Sequence, residues 1–273
     1  MKELAGHQLN NRNKINIMNI CKLTATIVLS LFGFAQAEEP TNQTDKPIRI
    51  LQIVGEKHHD YDSQKVIIQK GVGERVKSTW KTYHHKTKEA AKAFLDNPDF
   101  AKGFDVVIYN MCHAREEDAE FIKRLCKVHH DQGVPVIGLH CTMHSYHIVL
   151  PGNPLEKEWN KLLGVHSHGH GRHIPITITK SDVEHQATKD MPQVWKTTEG
   201  ELYFVKKVLD GTTVLATGVN GDKEAGTQPV AWVNQYGKAR VFCTTLGHHN
   251  STIQNPIYLD MIANGVKWAV GME

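Results

Sequence analysis

The sequence predicts a single-domain α/β protein with an open, mostly parallel β-sheet and helices on both faces. Short, nearly continuous apolar runs recur along the chain, as expected for parallel strands that are buried on both sides. Helical patterns and short links separate the first of these runs, so successive strands need right-handed crossovers. A length of 273 residues, with 40% hydrophobic and 22% charged residues, suits one globular core.

Each element of the amino-terminal half has its own local signal. The run Ile48–Val54 is a buried strand, and Ser63 can cap the helix that follows it. Gly71 and Gly73 lie inside that helical pattern rather than at a strand-to-helix turn, so we expect no phosphate loop and no nucleotide cofactor. The further elements predicted here are a helix at 87–95, a strand at 104–109, a helix at 116–132 and a strand that ends on His140.

The helix at 116–132 and the carboxyl-terminal helix have the clearest end signals. Phe121, Leu125 and Val128 share one face of the first, and Gly133 follows it as a stop. Pro256 opens the last helix, which Gly271 ends. Between these helices we predict a helix at 155–163, a Gly/His loop at 164–173, and strands at 174–179, 201–205, 213–217, 229–234 and 239–245.

The amino-terminal segment is predicted to be a cleavable signal peptide. Lys14 and Lys22 precede an apolar run over 23–34, and a small-residue cleavage pattern ends at Ala37. An uncleaved membrane anchor is the alternative, but the run is shorter than the roughly 20 apolar residues that a span needs. We therefore expect a periplasmic or secreted protein without a membrane partner, divided into a signal peptide at 1–37, a linker at 38–47 and one domain at 48–271.

The exported part of the chain is expected to be electrically neutral. Residues 1–37 carry four Lys or Arg and one Glu, which is +3, and the whole chain is also +3. There is therefore no basic footprint for nucleic acid. By contrast, the 18 histidines, of which only His7 precedes the cleavage point, exceed ordinary composition and point to a function. The sequence leaves open whether the protein forms homo-oligomers.

Four of the five cysteines lie beyond the signal peptide, and they are Cys112, Cys126, Cys141 and Cys243. Export permits disulfides. Each cysteine nevertheless lies in or beside a predicted strand or helix, and their spacing is irregular. We therefore expect four free, buried thiols.

Histidines follow several predicted strands at the point where each strand ends. In an open α/β sheet, ligands bind at the carboxyl ends of parallel strands. If the four strands are parallel, their end residues face one crevice: His58 or His59, Asn110 and His113, His140 and His144, and His248 and His249. The alternative is that these are ordinary polar loops, although histidine or asparagine at all four strand ends is less expected by chance.

Imidazole is the commonest neutral metal ligand and the usual general base near pH 7. From strand-end position we predict a divalent metal, with zinc as the first candidate, bound by His59, His113, His144 and His248. Glu56, Asp60 or Glu201 could complete the shell or move a proton. The chain contains no HExxH motif, so the signal is positional.

Four further residues have competing interpretations. Cys141 lies after a strand, as a nucleophile does, but a buried thiol is favoured because His140 and Thr142 are not the small neighbours that a nucleophile elbow needs. Arg172, in a Gly-rich turn, could bind an anionic or hydroxyl group of a ligand. Trp195 and Trp232 could be core residues or platforms that stack on sugar.

The sequence resembles the ThuA-like (trehalose utilisation) family over about Ile48 to Gly271. The resemblance rests on Phe104-Asp105-Val106-Val107, Gly133 to His140, Leu163-Gly164 with His170, Asp182-Val183-Glu184-His185 with Met191-Pro192, Glu201-Leu202-Tyr203, Pro229-Val230-Ala231-Trp232, Gly237 to Phe242, Leu246-Gly247-His248, Asn255-Pro256 and Val266-Lys267-Trp268-Ala269. It implies a flavodoxin-like, class I glutamine amidotransferase-like fold. It also places His140 where amidotransferases have their nucleophilic cysteine, which argues against glutaminase chemistry.

The resemblance implies that the protein handles disaccharides and their 3-keto derivatives, beside sugar dehydrogenases of the same pathway. The family pattern carries over to His59, His140, His170 and His248. We therefore predict an exported enzyme for metal-assisted hydrolysis, elimination or isomerisation of such sugars. His140, His170 and Glu201 are its predicted catalytic residues, and Asn110, Arg172 and Trp232 bind the substrate. The alternatives are a carbohydrate-binding accessory protein without chemistry and a Cys141-dependent hydrolase.

Overall fold

The computed structural model describes residues 46–116, 118–146 and 157–272. The predicted signal peptide, its cut after Ala37 and most of the linker lie outside these residues. Among the described residues, no helix has both the length and the apolarity to cross a bilayer. The strands are β1 Ile48–Gly55, β2 Ser78–His84, β3 Val106–Met111, β4 Val136–Leu139, β5 Val165–His173, β6 Thr177–Lys180, β7 Val194–Lys196, β8 Glu201–Val208, β9 Thr213–Val219, β10 Gln228–Tyr236 and β11 Ala239–Thr244. The helices are α1 Tyr61–Gly73, α2 Lys88–Leu95, α3 Ala119–Gln132, α4 Glu158–Leu163, α5 Asn250–Ile253 and α6 Pro256–Ala269.

Nine of these strands form the central sheet, in the order β2-β1-β3-β4-β11-β10-β9-β6-β7. The first five run parallel to one another, and the remaining four pair antiparallel. Strands β5 and β8 form a separate antiparallel pair. The four strands that end in histidine loops, β1, β3, β4 and β11, are thus adjacent and parallel. Their carboxyl ends lie along one edge, and the predicted fold class is confirmed.

Apolar side chains pack on both faces of this sheet, which accounts for the unbroken apolar runs of its inner strands. On β1, Ile50 belongs to the core that also includes residues of α1 and α6. The next residue, Leu51, belongs to the opposite core, with residues of α2, α3 and α4. Helices therefore cover both faces, and the polar residues that follow each strand remain at the edge.

Several helix ends follow the predicted chemistry. Gly133 ends α3 in a left-handed conformation with φ of 75°. Pro256 opens α6, and the side chain of Asn255 caps it by accepting a hydrogen bond from the Ile257 amide. The predicted cap of α1 is wrong: Asp60 is the capping residue, and its carboxylate accepts the amide of Ser63.

The sequence analysis predicts neither strand β7 nor the short helix α5, and two segments nearer the histidine loops also differ from it. The half-exposed edge strand β2 lacks an apolar run, so the sequence does not predict it. The segment predicted as a Gly/His loop at 164–173 is strand β5, which pairs antiparallel with β8. This pairing brings His170 opposite Tyr203 and His173 opposite Glu201. Strand β5 therefore supplies fixed side chains to the site.

Candidate functional site

Three histidines from three different strand ends meet at the carboxyl edge of the sheet. His59 follows β1, His140 follows β4 and His248 follows β11. The ring centroid of His59 lies 4.8 Å from that of His140 and 4.7 Å from that of His248. The third pair, His140 and His248, is 5.3 Å apart. One nitrogen from each ring lies within 4.8 Å of the other two, so this group, the first histidine group, could hold a metal ion.

The backbone conformation of His140 and a hydrogen bond to its outer ring nitrogen fix the orientation of its side chain. Its φ of 44° is one that residues other than glycine rarely adopt, and it turns the chain where β4 ends. The Nδ1 proton is donated to the carbonyl oxygen of Thr245 at 2.7 Å. Nε2 therefore faces inward, 3.2 Å from the hydroxyl of Tyr203 and 3.3 Å from Oε2 of Glu201. A backbone carbonyl on the far nitrogen is the usual support of a metal-binding imidazole.

His59 is the least satisfied of the three imidazoles. Neither of its ring nitrogens has a hydrogen-bond partner among the described residues, although both are buried. Burial, together with the positive charge that neighbouring histidines can carry, lowers the pKa of His59 to about 2. Burial likewise lowers the pKa of His248, to about 4. Both rings are neutral at pH 7 and have a lone pair available for a ligand. Of the two candidates in this loop, His59 joins the group, whereas His58 is exposed.

Glu201 is the carboxylate around which the remaining histidines gather. It is only 5% exposed. Oε1 lies 2.8 Å from Nε2 of His173 and 3.0 Å from Nδ1 of His170. Burial alone would raise the pKa of Glu201, but the adjacent imidazoles of His140 and His170 outweigh it and hold this pKa well below its ordinary value. The hydrogen bond to Glu201 raises the pKa of His170.

Two successive hydrogen bonds between buried side chains support the loop that carries His248. The amide group of Asn110 donates to Oε1 of Gln64 at 3.1 Å, and Gln64 in turn donates to the backbone carbonyl of His248, also at 3.1 Å. Asn110 and Gln64 are both almost fully buried. The amide nitrogen of Asn110 thus helps to position this loop, and a role of Asn110 in binding substrate stays a prediction.

Two predicted metal ligands lie outside the first histidine group. His113 points toward β2, and its Nε2 lies 2.6 Å from Nε2 of His85. His144 stacks on Tyr203 with ring centroids 3.9 Å apart and bonds through Nε2 to the hydroxyl of Ser167. We therefore correct both assignments: His113 belongs to a separate buried imidazole pair, and His144 supports Tyr203.

The two remaining predicted substrate-binding residues differ in their exposure. Trp232 is fully buried on β10, and its indole N–H donates to the carbonyl oxygen of Leu163 at 2.7 Å. It is a core residue and cannot stack on sugar, so that interpretation is wrong; Trp195 is also buried. Arg172 is exposed on β5, between His170 and His173. Its role in binding a ligand stays a prediction.

The cysteines differ from the expectation of four free thiols. Cys112 and Cys141 form a disulfide across 29 residues of sequence, with Cα atoms 5.1 Å apart. This bond joins the segment after β3 to the segment after β4, directly beside His113 and His140. Cys126 and Cys243 are free and buried, as predicted. Because the sulfur of Cys141 is committed to the disulfide, the structure offers no thiolate for a Cys141-dependent hydrolase.

A cavity of about 340 Å³ opens beside the first histidine group and is lined by residues of the β1 and β11 loops, including His59, His248 and His249. A larger cavity of about 990 Å³ lies at the amino ends of the strands, near Arg49, Pro135 and Arg240. Of these two cavities, the smaller one lies beside the clustered histidines. The smaller cavity is therefore the candidate ligand cavity of this site.

Two contributors to the site are not evident from the sequence. Tyr203 stands out there only as part of the family motif, yet its hydroxyl reaches His140. His173 falls in the segment predicted to be a Gly/His loop, yet it bonds directly to Glu201. The signal that could have revealed Tyr203 is strand periodicity, because Glu201 and Tyr203 are two residues apart on a strand and share a face.

The fold and the site together define an α/β protein of the class I glutamine amidotransferase-like type with a histidine-rich site at the carboxyl edge of its sheet. The sequence profile of the trehalose utilisation (ThuA) family matches residues 49–269, so the chain belongs to this family. No curated sequence matches the chain significantly.

Solved structures agree with the fold assignment. A ThuA-like protein from Parabacteroides merdae superimposes with a TM-score of 0.67 at 19% identity, covering 83% of this chain and 91% of that one. A ThuA-like protein from Bacteroides uniformis gives 0.59 at 16% identity, with 85% and 95% covered. A GMP synthase component from Thermoplasma acidophilum gives 0.52 at 10% identity, with 83% and 96% covered. At these identities the similarity shows a shared fold.

Proposed function

We propose that this chain is an exported, carbohydrate-active enzyme that carries out metal-assisted chemistry on a disaccharide or keto-sugar derivative. The reaction is hydrolysis, or an elimination or isomerisation beside a carbonyl. Membership of the trehalose utilisation family supports a sugar as the substrate class. Export rests on the amino-terminal sequence, which has the n-region, apolar run and cleavage pattern of a signal peptide.

The observation that carries the proposal is the convergence of His59, His140 and His248 at one edge of the sheet. His59 supports a metal site over an ordinary polar cluster. A buried imidazole with neither nitrogen bonded is costly to fold, because each polar atom loses its water without gaining a partner. A bound cation removes this cost. A donor set of three imidazoles fits zinc or a similar divalent transition metal.

A metal held by these three histidines would polarise a substrate oxygen and lower the pKa of a water molecule. The neighbouring side chains have separate tasks. Tyr203, whose hydroxyl lies 3.2 Å from Nε2 of His140, can donate a hydrogen bond to an oxygen bound beside this ring. Glu201 holds imidazoles on both of its sides and fixes their orientation.

The proton carrier in this proposal is a histidine at the cavity entrance. The sequence pointed to His140 and His170, but this proposal assigns His140 to the metal, and Nδ1 of His170 is bonded to Glu201. His249 lines the cavity, and its Nε2 lies 3.6 Å from the carboxylate of Glu199. Its Nδ1 has no partner among the described residues. An imidazole that lies beside a carboxylate and has one unpartnered nitrogen suits general acid–base catalysis.

The proposal is tested with the chain purified without its signal peptide, as isolated and after treatment with a chelator. Trehalose, other disaccharides and their 3-keto derivatives are incubated with each preparation, and products are quantified by mass spectrometry. We expect turnover that is lost on chelation and restored by Zn²⁺, and strongly reduced turnover in His59→Ala and His140→Ala. Absence of metal together with full activity of His140→Ala contradicts the proposal. Sugar binding without turnover, unaffected by chelator, identifies a carbohydrate-binding protein instead.

A further inference from the structure

A second group of potential ligands lies next to the first histidine group. It consists of His170 and His173 on β5 and Glu201 on β8, with one ligand atom from each within 4.8 Å of the others. Both imidazoles approach the same carboxylate oxygen, Oε1, at 3.0 and 2.8 Å. Because β5 and β8 pair directly, with His173 opposite Glu201, the backbone holds the three side chains together.

Glu201 presents a different oxygen to each group. Oε2 lies 3.3 Å from Nε2 of His140, in the first histidine group. Oε1 faces His170 and His173 at 3.0 and 2.8 Å, and it lies farther, 3.8 Å, from Nε2 of His248, which belongs to the first histidine group. A carboxylate with one oxygen toward each of two ligand sets is the arrangement that bridges paired metal ions, which lie about 3.5–4 Å apart in two-metal sites.

The buried negative charge of Glu201 needs more positive charge to stabilise it than the neighbouring imidazoles supply. Its carboxylate is 5% exposed, and all the ion-pair partners found for it within the described part of the chain are imidazoles. Imidazoles carry only part of a charge near pH 7. A buried carboxylate is stable when it is paired with a full cation or binds a metal. With a single ion bound at the first histidine group, the charge on Oε1 would be balanced only by histidine side chains, and the two nearest of these are half-exposed.

We propose that Glu201 bridges two divalent transition-metal ions, the first bound by His59, His140 and His248 and the second by His170 and His173. This inference rests on the proposed function, because it extends the same metal site. Nδ1 of His170 also lies 3.0 Å from the carbonyl oxygen of Gly171, so binding of the second ion requires the tautomer with the proton on Nε2. The nitrogen-rich donor set selects zinc, cobalt, nickel or iron over magnesium and calcium.

His249 offers a competing assignment, since His173, His248 and His249 form another group of the same kind. That group has no carboxylate and would take His248 away from the first ion. The group that contains Glu201 gives each ion its own histidines and lets both share one negative charge. This difference is open to a direct test with single substitutions.

The test measures how many Zn²⁺ ions the chain binds, by elemental analysis after gel filtration and by calorimetric titration of the metal-free protein with Zn²⁺. The full chain without its signal peptide is used. We expect two ions per chain in the wild type, one in His173→Ala and one in His170→Ala. His249→Ala is the matched control at the same rim and is expected to keep two. The imidazoles of His170 and His173 are 43% and 50% exposed, so their removal leaves the fold intact.

The outcomes separate this inference from the proposed function. One ion in the wild type, unchanged in His173→Ala, overturns the second site and leaves the single-metal enzyme standing. Two ions in both His170→Ala and His173→Ala but one in His249→Ala also overturns the assignment. No bound zinc in the wild type overturns the metal site as a whole. Two ions in the wild type and one in each of the β5 variants support the bridged pair, whatever the substrate proves to be.

Discussion

His140 donates its Nδ1 proton to the carbonyl oxygen of Thr245 across 2.7 Å, and this bond determines what the ring can do. The proton is held on the outer nitrogen, so Nε2 keeps its lone pair on the side of the ring that faces Tyr203 and Glu201. The acceptor is a backbone atom that follows β11, and it is therefore fixed by the sheet itself. The orientation of His140 is thus set by the same two strands, β4 and β11, that carry His140 and His248 to the first histidine group.

The first prediction concerns metal content. His140→Ala removes one of three imidazoles from the first histidine group, and we expect zinc affinity there to fall by more than about 100-fold, which exceeds the usual cost of losing an outer partner. His113→Ala is the control, because this ring bonds to His85 and lies outside the group. We expect it to keep the wild-type zinc content. Equal losses in both variants would contradict our correction of His113. Elemental analysis of the purified variants provides the measurement.

The second prediction follows from the disulfide between Cys112 and Cys141. Unfolded protein without its signal peptide should show two reactive thiols, from Cys126 and Cys243, and four after reduction. The double variant Cys112→Ser/Cys141→Ser should be less stable to unfolding by roughly 3–4 kcal/mol, because the bond closes a loop of 29 residues. Thiol titration with Ellman's reagent in denaturant gives the count. Four thiols before reduction, in protein produced under oxidising conditions, would refute the bond.

The third prediction separates a core role from a sugar-binding role for Trp232. Trp232→Phe leaves the carbonyl of Leu163 without its indole donor, and this should cost about 1–3 kcal/mol of unfolding free energy. Sugar affinity should not change, because the ring is fully buried. Urea unfolding and calorimetric sugar titration measure the two effects. Trp195→Phe, which changes another buried indole, is the matched control. A loss of sugar affinity confined to Trp232→Phe would restore the stacking interpretation.

The parallel part of the sheet and the strand-end positions of the first histidine group could be predicted, because both depend on local sequence patterns. An apolar run marks a strand that is buried on both faces, and the polar residue that follows it must lie at the carboxyl edge. His59, His140 and His248 satisfy this rule. The rule says where a residue lies along its strand, but it does not say which way the side chain turns.

The errors at His113 and Trp232 show this limit. His113 lies at the predicted edge, but its ring turns to His85, which follows the strand β2 that has no apolar run to reveal it. Trp232 lies on an internal strand, where its N–H finds a carbonyl of a helix distant in sequence. Strand β5 escapes sequence reasoning because its glycines and histidines resemble a loop, while its pairing with β8 is a long-range property.

The fourth prediction concerns acid stability and the buried His129 on α3. Its Nδ1 donates to the carbonyl of Val134, and its Nε2 accepts the hydroxyl proton of Tyr109, both at 2.8 Å. Burial lowers the pKa of His129 to about 4 in the folded protein, whereas the pKa of a histidine in the unfolded chain is about 6.5. Between these values the unfolded chain binds a proton that the folded protein does not. This contribution to stability is therefore complete above about pH 6.5 and is lost as the pH falls toward 4.

In His129→Gln a neutral side chain replaces the imidazole, so this proton uptake disappears. At pH 7 we expect the variant to be less stable than the wild type by about 1–3 kcal/mol, because the buried hydrogen bonds are disturbed. Toward pH 4 the gap should narrow by up to about 3 kcal/mol, since one pKa unit corresponds to about 1.4 kcal/mol. Leu125→Ala on the same helix creates a cavity without a titrating group, and its deficit should be constant with pH. Urea unfolding curves from pH 7 to 4 decide the matter: parallel deficits in the two variants would mean that His129 takes up its proton in the folded state as readily as in the unfolded chain.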